Sequence, residues 1–280
     1  VKYEHNYDRF HSNIDRIAQV RKHTLFNNEK NTQVGVMLPL YDELRTNYPE
    51  VKRVSRVQPF NNRSLIAGEK KLSKNGFYVD PDFLRIFSFP VMKGHKETAL
   101  NDPNSIVLTQ SLAKTLFGDE DPINKVIRYD NTYNLKVTAV VKDCPDNSSI
   151  YFEFLAPFEF RVNNFPGVKE ARTRWGNNFV MTVVEMKEGA SMSALSKKIE
   201  HLIVQKDPKE TNQTLFLHPL SKWHLYDEFK NWVNTGGRIE FVRLFTIVGI
   251  FVLLIACINF MNLATARSEK RAREVGVRKA

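Results

Sequence analysis

Between Arg243 and Arg267 the sequence runs for 23 residues, LFTIVGIFVLLIACINFMNLATA, without a charge. Wound as a helix, such a run is about 34 Å long, enough to cross a hydrocarbon core of ~30 Å. Buried helices of soluble proteins rarely carry so many uncharged residues in succession. A transmembrane helix is therefore predicted, and it divides the chain into a large part before it and a short part after it. The short part holds Arg267, Lys270, Arg271, Arg273, Arg278 and Lys279 against Glu269 and Glu274. The positive-inside rule puts that side in the cytoplasm, so residues 1–243 face outward.

The net charge of +10 invites a nucleic-acid reading. Its location argues against one: Arg267–Ala280 carries +4, leaving +6 over the first 243 residues, a mildly basic surface rather than a phosphate-binding stripe. With 42% hydrophobic residues and 20 Phe in 280 positions, the outward part can bury a core without other support. Cys144 stands alone there, because Cys257 lies in the apolar run, so no disulfide framework is available. Position 1 is Val, and no charged stretch leads into an early apolar one, so no signal peptide is visible and a longer parent chain is expected.

The outward part reads as α+β. Ile14, Ile17 and Val20 lead into a first strand, a helix starts at Pro39 with Leu40, Leu44 and Tyr48 on one face, and a strand follows over 51–58. After Pro59 the texture becomes short strands and turns: 63–67, a Gly68-Glu69 hairpin, 70–73 and 77–79. Asp80-Pro81 is expected to cap a short helix bearing Phe83, Leu84 and Phe87, and Thr109 to cap another that stops at Gly118. Strands follow near 106–108, 126–129, 133–141 and 152–155, then a polar connector over 161–174. Strand 179–186, a helix over Met192–Ile203 and a strand at 215–217 repeat the opening β-α-β pattern. One split domain interrupted by a β-rich insertion is expected: 1–60 and 161–237 as its two parts, 61–160 inserted, 238–266 as stalk and membrane helix, and 267–280 as a cytoplasmic segment.

Catalytic and cofactor motifs are missing from the sequence: there is no G-x-x-x-x-G-K-[ST], H-E-x-x-H, G-x-S-x-G or C-x-x-C. Neither catalytic residues nor a cofactor or metal site are predicted. His218, His224, Asp227 and Glu228 cluster in sequence, but with no standard ligand spacing. Asp119-Glu120-Asp121 before Pro122 reads as turn chemistry. The N-x-[ST] matches at Asn62, Asn147 and Asn212 matter only in a glycosylating host. Asn259 and Asn262, three apart in the apolar run, suit either packing against another membrane helix or hydration near the interface.

Three stretches together carry a resemblance. ARSEKRAREVGVRKA, directly after the membrane run, resembles the cytoplasmic signature of the permease subunits of type VII ABC transporters, the MacB/FtsX-like family. VDPDFLRIFSFPVMKG and SIVLTQSLAKTLFGDEDPINKVI resemble that family's periplasmic core domain, and YDRFHSNIDRI resembles the segment after the first membrane helix in Bacteroidota-type members. Asn124 stands where the family usually has Gly, a departure that a left-handed turn tolerates. The glycine that usually follows the signature lies past Ala280 and cannot be compared.

The resemblance implies a porter-like split β-α-β subdomain with a β-rich insertion, in a cell inner membrane. It implies a separate ABC ATPase subunit, a second permease subunit in a homo- or heterodimer, and a periplasmic adaptor or outer-membrane component as partners, with export or mechanotransmission as the task. Arg273, Glu274, Val275, Gly276, Val277, Arg278 and Lys279 then form the ATPase-coupling segment. Glu274, four residues from both Lys270 and Arg278, can alternate charge along one helical face. The bland reading of the same segment is a basic helix meeting anionic lipid. A membrane-anchored sensory receptor is the alternative function, distinguished by heptads or a kinase after residue 280 instead of further apolar spans; a tethered enzyme has least support.

Overall fold

The structure, a computed structural model, describes residues 3–277, with side chains through Ala272. Its elements run β1 (Ile17–Phe26), β2 (Glu29–Gln33), β3 (Val36–Met37), α1 (Pro39–Asn47), β4 (Val51–Ala67), β5 (Lys70–Val79), α2 (Phe83–Ile86) and β6 (Val91–Gly94). Next come β7 (Ser105–Thr109), α3 (Gln110–Phe117), β8 (Val126–Tyr129), β9 (Tyr133–Val141), β10 (Phe154–Pro157), α4 (Phe158–Asn164) and α5 (Pro166–Ala171). The chain closes with β11 (Asn178–Met186), α6 (Met192–Ile199), α7 (Leu202–Lys206), β12 (Gln213–Pro219), the hairpin β13 (Glu228–Lys230) and β14 (Val233–Gly236), and α8 (Arg238–Val277). This is the mixed α+β class predicted from the sequence, with one apolar C-terminal helix.

Strands β12, β1, β11 and β4 lie side by side in that order, every neighbouring pair antiparallel. With α1 leading into β4 and α6–α7 joining β11 to β12, this is a split β-α-β arrangement. Its helices cover one face, where Leu40, Leu44, Leu195, Ile199 and Ile203 pack on Val20, Val54, Val184 and Leu215. The repeated pattern in the sequence thus corresponds to two halves of one layer. Ser191 caps α6 by accepting from Ala194 N at 3.2 Å, and the expected single helix over Met192–Ile203 breaks at Glu200 and His201.

Everything between β4 and β11 extends the same sheet through β5, β10, β7, β9 and β6. β4 is a single strand of 17 residues. Its first half pairs with β11 through Val57, and its second half pairs with β5 and, from Leu65, with β8. The expected break at Pro59 does not occur. Pro59 sits where β4 has a neighbour only on the β5 side, so its missing N–H leaves no ladder bond unmade. A bulge between Phe60 and Arg63 is absorbed by Asn62 at φ 58°. Residues 70–79 likewise form one strand instead of two, and the proposed division at 60/61 falls inside continuous β4.

The extended sheet is covered on both faces. On one, Tyr78, Tyr129, Phe154 and Phe160 cluster with Leu112 and Leu116 of α3, and the Tyr78 and Tyr129 hydroxyls bond at 2.5 Å. On the other, Phe83, Phe87, Phe89 and Phe152 pack around Val107 and Leu155. Each buried Phe contributes roughly 1.5–3 kcal/mol, which is how a chain without a disulfide framework holds this region. Residues 161–174 are not a loose connector: α4 and α5 bury Val162, Val168 and Ala171. Asp143 supplies the start of α3 by accepting from Ser111 N at 3.0 Å, a role expected of Thr109, which makes no side-chain cap. Asn124 takes the left-handed φ of 64°.

Candidate functional site

A cavity of about 620 Å3 lies where α8 leaves the folded part, between Tyr7, Ser148, Trp223, His224, Gly237 and Phe241. Two glycines make this neck. Gly236 and Gly237 have φ of 105° and 122°, which L-residues rarely adopt. A Cβ on Gly237 would sit 3.4 Å from both Leu225 O and Glu228 N, so the chain passes close against backbone. Two residues on, Ile239 is buried, and its N–H donates to Leu225 O at 3.1 Å. The first turn of α8 is thereby pinned to Leu225.

Residues 223–227 tie that turn to the rest of the fold. Asp227 pairs with Arg21 in the middle of β1, and Arg21 also donates from Nε to Gln19 Oε1 at 3.0 Å. The Trp223 indole N–H donates to His218 O at 3.1 Å. His224 stacks on the Tyr7 ring with centroids 3.3 Å apart and meets Glu4 Oε2 at 2.6 Å. The N-terminal segment is fastened in turn to the loop before β10: Asp8 Oδ1 accepts from Ser149 N at 2.7 Å, and Asn147 Nδ2 donates to Asn6 O at 2.9 Å. Burial raises the Asp8 carboxyl above its ordinary range, while the Ser149 bonds oppose that shift. The start of the chain, β1, β12 and α8 therefore meet at one place.

A second junction joins the two stretches of sheet. Arg56 of β4 is fully buried, donating from Nε to Asp80 Oδ2 at 2.9 Å and from Nη2 to Asp80 Oδ1 at 2.6 Å. The Arg56 backbone N–H reaches Asp80 Oδ2 at 2.6 Å. Its guanidinium lies between the rings of Tyr41 on α1 and Phe158 on α4, at 4.3 and 4.2 Å. Asp80 was expected to cap α2; its carboxylate is turned instead to Arg56, and Asp82 occupies the cap position. Sequence spacing carries no sign of this pair.

Of the four residues considered for a metal, Glu228 pairs with Lys230, and the buried His218 Nε2 has no partner among the described residues. His224 belongs to Tyr7 and Glu4, Asp227 to Arg21, and His218 lies against the Phe229 ring at 5.5 Å. Among the described residues no group of three or more His, Cys, Asp or Glu gathers at metal-binding distance. The acidic run after α3 is matched by lysines, Asp119 with Lys114, Glu120 with Lys125 and Asp121 with Lys93, around Gly118 at φ 64°.

From the neck, α8 runs unbroken for 40 residues, about 60 Å, with no proline to kink it. Arg238–Ala272 is long and apolar enough to cross a membrane, and among the described residues its most apolar stretch is buried against nothing. Asn259 and Asn262 stand exposed on one side of it. The helix continues through Arg273, Glu274, Val275, Gly276 and Val277, whose side chains lie outside the described residues, as do Arg278 and Lys279 entirely.

Compared with known proteins, residues 2–202 match the family of the MacB-like periplasmic core domain. No curated protein matches the chain. Three solved structures share the fold. A domain described as that of a permease from Porphyromonas gingivalis aligns with TM-score 0.64 and 21% identity over 75% of this chain and 91% of its own. The periplasmic region of MacB from Actinobacillus actinomycetemcomitans gives 0.53 and 14% over 72% and 88%. The extracellular domain of the ABC-type transporter YknZ from Gram-positive bacteria gives 0.53 and 14% over 71% and 99%.

Proposed function

The chain belongs to the family of the MacB-like periplasmic core domain, found in ABC-type permease-like proteins, and from that premise we propose that it is a permease subunit that converts ATP hydrolysis by a separate ATPase subunit into movement outside the membrane. The observation that carries this reading is the unbroken α8, fixed at the neck by Leu225 and Ile239 and continuing past the apolar run as one rod. A lever needs a stiff shaft and a firm attachment, and both are built here. Closure of the ATPase displaces the basic end of the rod. The rod then turns or tilts the neck, and the Arg21–Asp227 pair and the Tyr7–His224 stack pass that displacement to β1 and to the N-terminal segment.

In this proposal α8 crosses a cell inner membrane with residues 1–243 in the periplasm and 267–280 in the cytoplasm. Glu274 and its neighbours Arg273, Val275, Gly276, Val277, Arg278 and Lys279 contact the ATPase, and Asn259 and Asn262 bond across to a neighbouring membrane helix, where an unpaired amide in hydrocarbon would be costly. A second permease subunit, in a homo- or heterodimer, completes the membrane part, and a periplasmic adaptor or outer-membrane component receives the movement for export or mechanotransmission. The two parts 1–60 and 161–237 move together as the porter-like unit that carries the insertion 61–160.

The test is the charge reversal Glu274→Lys. The ATPase subunit should no longer co-purify with the variant and its ATPase rate should fall toward that of the isolated subunit, while thermal unfolding of the periplasmic part is unchanged. Unaltered co-purification and rate would remove the coupling role.

A further inference from the structure

Outside α8, three aromatic side chains are more than half exposed among the described residues: Tyr3, Tyr151 and Phe26. Phe26 ends β1 on the side away from Ala18 and Pro219, and the other two stand at the neck. Tyr3 meets the Tyr7 ring edge-on with centroids 5.8 Å apart, and Tyr7 lines the neck cavity. Tyr151 follows two residues after Ser149, which lines it as well. From α8, Phe241 lines the same cavity and is 64% exposed. Three separate stretches of chain thus bring exposed rings to one rim. Aromatic rings, Tyr above all, gather in this way where a protein meets the layer between hydrocarbon and water.

Distances along α8 put that rim at headgroup depth. Leu244 opens the apolar run, and the helical rise places Phe241 about 4.5 Å and Arg238 about 9 Å above it. A bilayer of about 40–45 Å around a hydrocarbon core of about 30 Å leaves a headgroup layer of ~5–8 Å on each side. With the run in the core, Phe241 lies inside that layer and Arg238 at its outer edge, and a tilt of α8 brings both nearer. The charges around the cavity then select the headgroup chemistry. Asp227 pairs with Arg21, Glu228 with Lys230 and His224 with Glu4. Arg238 lines the same cavity, is exposed, and has no ion-pair partner among the described residues. A guanidinium left unmatched is suited to a phosphodiester, whose two free oxygens share one negative charge and accept its paired N–H groups. The cavity, at about 620 Å3, has the volume of a small-molecule site.

We propose that the neck face of the outward domain rests on the membrane from which α8 emerges, with Tyr3, Tyr151 and Phe241 in the headgroup layer and the phosphodiester of one outer-leaflet phospholipid held in the neck cavity by Arg238. The occupant is a lipid and not free phosphate. Inorganic phosphate carries about two charges at neutral pH, too many for one guanidinium with Asp227 and Glu228 alongside, and it would leave the surrounding rings in water. The inference rests on the reading of α8 as a membrane helix and goes beyond it. Crossing the bilayer fixes only the rod, whereas contact at the rim seats the whole domain on the lipid surface against which the rod moves.

The experiment uses the full chain in nanodiscs of phosphatidylethanolamine and phosphatidylglycerol. Bimane is attached to Tyr151→Cys or Phe26→Cys in a Cys257→Ala background, Cys144 being buried. A nitroxide on the lipid headgroup should quench most of the fluorescence at 151 and leave 26 unchanged, since β1 carries Phe26 roughly 25 Å from the Ala18 end. Bimane on the native Cys257, quenched by bromine on the acyl chains, reports separately that α8 lies in the bilayer. Quenching at 257 with none at 151, or equal quenching at 26 and 151, overturns the proposal and leaves the membrane helix standing; no quenching at 257 removes both. Native mass spectrometry of the chain released from the discs then reads the bound lipid. The unmutated chain should keep one phospholipid, and Arg238→Gln should keep it about tenfold less often with an unchanged Tm. Arg238→Lys, which retains the charge but not the paired donors, should fall between them. Equal retention by Arg238→Gln, or displacement of the lipid by inorganic phosphate, overturns the headgroup site.

Discussion

Removing the Asp80 carboxylate should be among the most damaging single changes available in the folded part. Asp80→Ala deletes three bonds at once, from the Arg56 backbone N–H, Nε and Nη2, at 2.6, 2.9 and 2.6 Å. The guanidinium then remains at 2% side-chain exposure with only the 36%-exposed Glu159 at 3.2 Å and two aromatic faces. Leaving a buried charge without its partner costs about 3–5 kcal/mol. For a domain of this size that is a fall in Tm of roughly 6–20 °C, against a total stability of only about 5–15 kcal/mol. The double variant Arg56→Met, Asp80→Ala should recover most of the loss, because a buried pair replaced by apolar groups is often close to neutral. Recovery should stop short of complete, since the Arg56 N–H still lacks its acceptor and an unmatched buried donor costs about 1–3 kcal/mol. The assay is thermal unfolding of the full chain in detergent, followed by near-ultraviolet circular dichroism. A single variant within 1 kcal/mol of the parent, or a double variant no better than the single, would refute the argument.

Acid should weaken the fold from the histidine side. Burial lowers His11 to about 4, its Nδ1 accepts from Ser88 N at 2.9 Å and its Nε2 has no partner among the described residues. Because the unfolded chain takes up the proton first, the stability this contributes is present above about 6.5 and is lost as pH falls toward 4, up to roughly 3 kcal/mol; urea midpoints across that window should fall, and His11→Gln should flatten the curve. At the neck, Ile239→Ala should cost about 2–5 kcal/mol locally. Hydrogen exchange should accelerate at 225–240 while the β4–β5 amides stay protected, and uniform exchange throughout would deny the neck its role as a separate attachment.

How far the sequence speaks depends on whether a feature is local. The apolar run, the face of α1 and the turn after α3 each declare themselves within a few residues, and the structure has them where spacing puts them. The long β4 does not, because Pro59 and Asn62 read as breaks unless one knows that β11 has already left that edge of the strand and β8 has not yet joined it. The polar residues of 161–174 read as a connector, which hid α4 and α5, whose buried side chains are few and face remote parts of the sheet. At the neck and the sheet junction the partners are remote: Arg21 and Asp227 lie 206 residues apart, and Arg56 meets Glu159 across 103. No periodicity links such pairs; only the closed sheet does.

The central claim is that α8 carries the chain across a membrane, with the folded domain on the outer side and the basic end inside. Single cysteines at Glu188, on an exposed loop, and at Ser268, just past the apolar run, can be offered a membrane-impermeant maleimide in intact cells. The native thiols should stay silent: burial pushes Cys144 up to about 11, and Cys257 lies within the apolar run. Labelling at 188 in intact cells, and at 268 only after permeabilisation, is the expected result. The reverse pattern, or equal labelling of both positions in intact cells, would contradict the account.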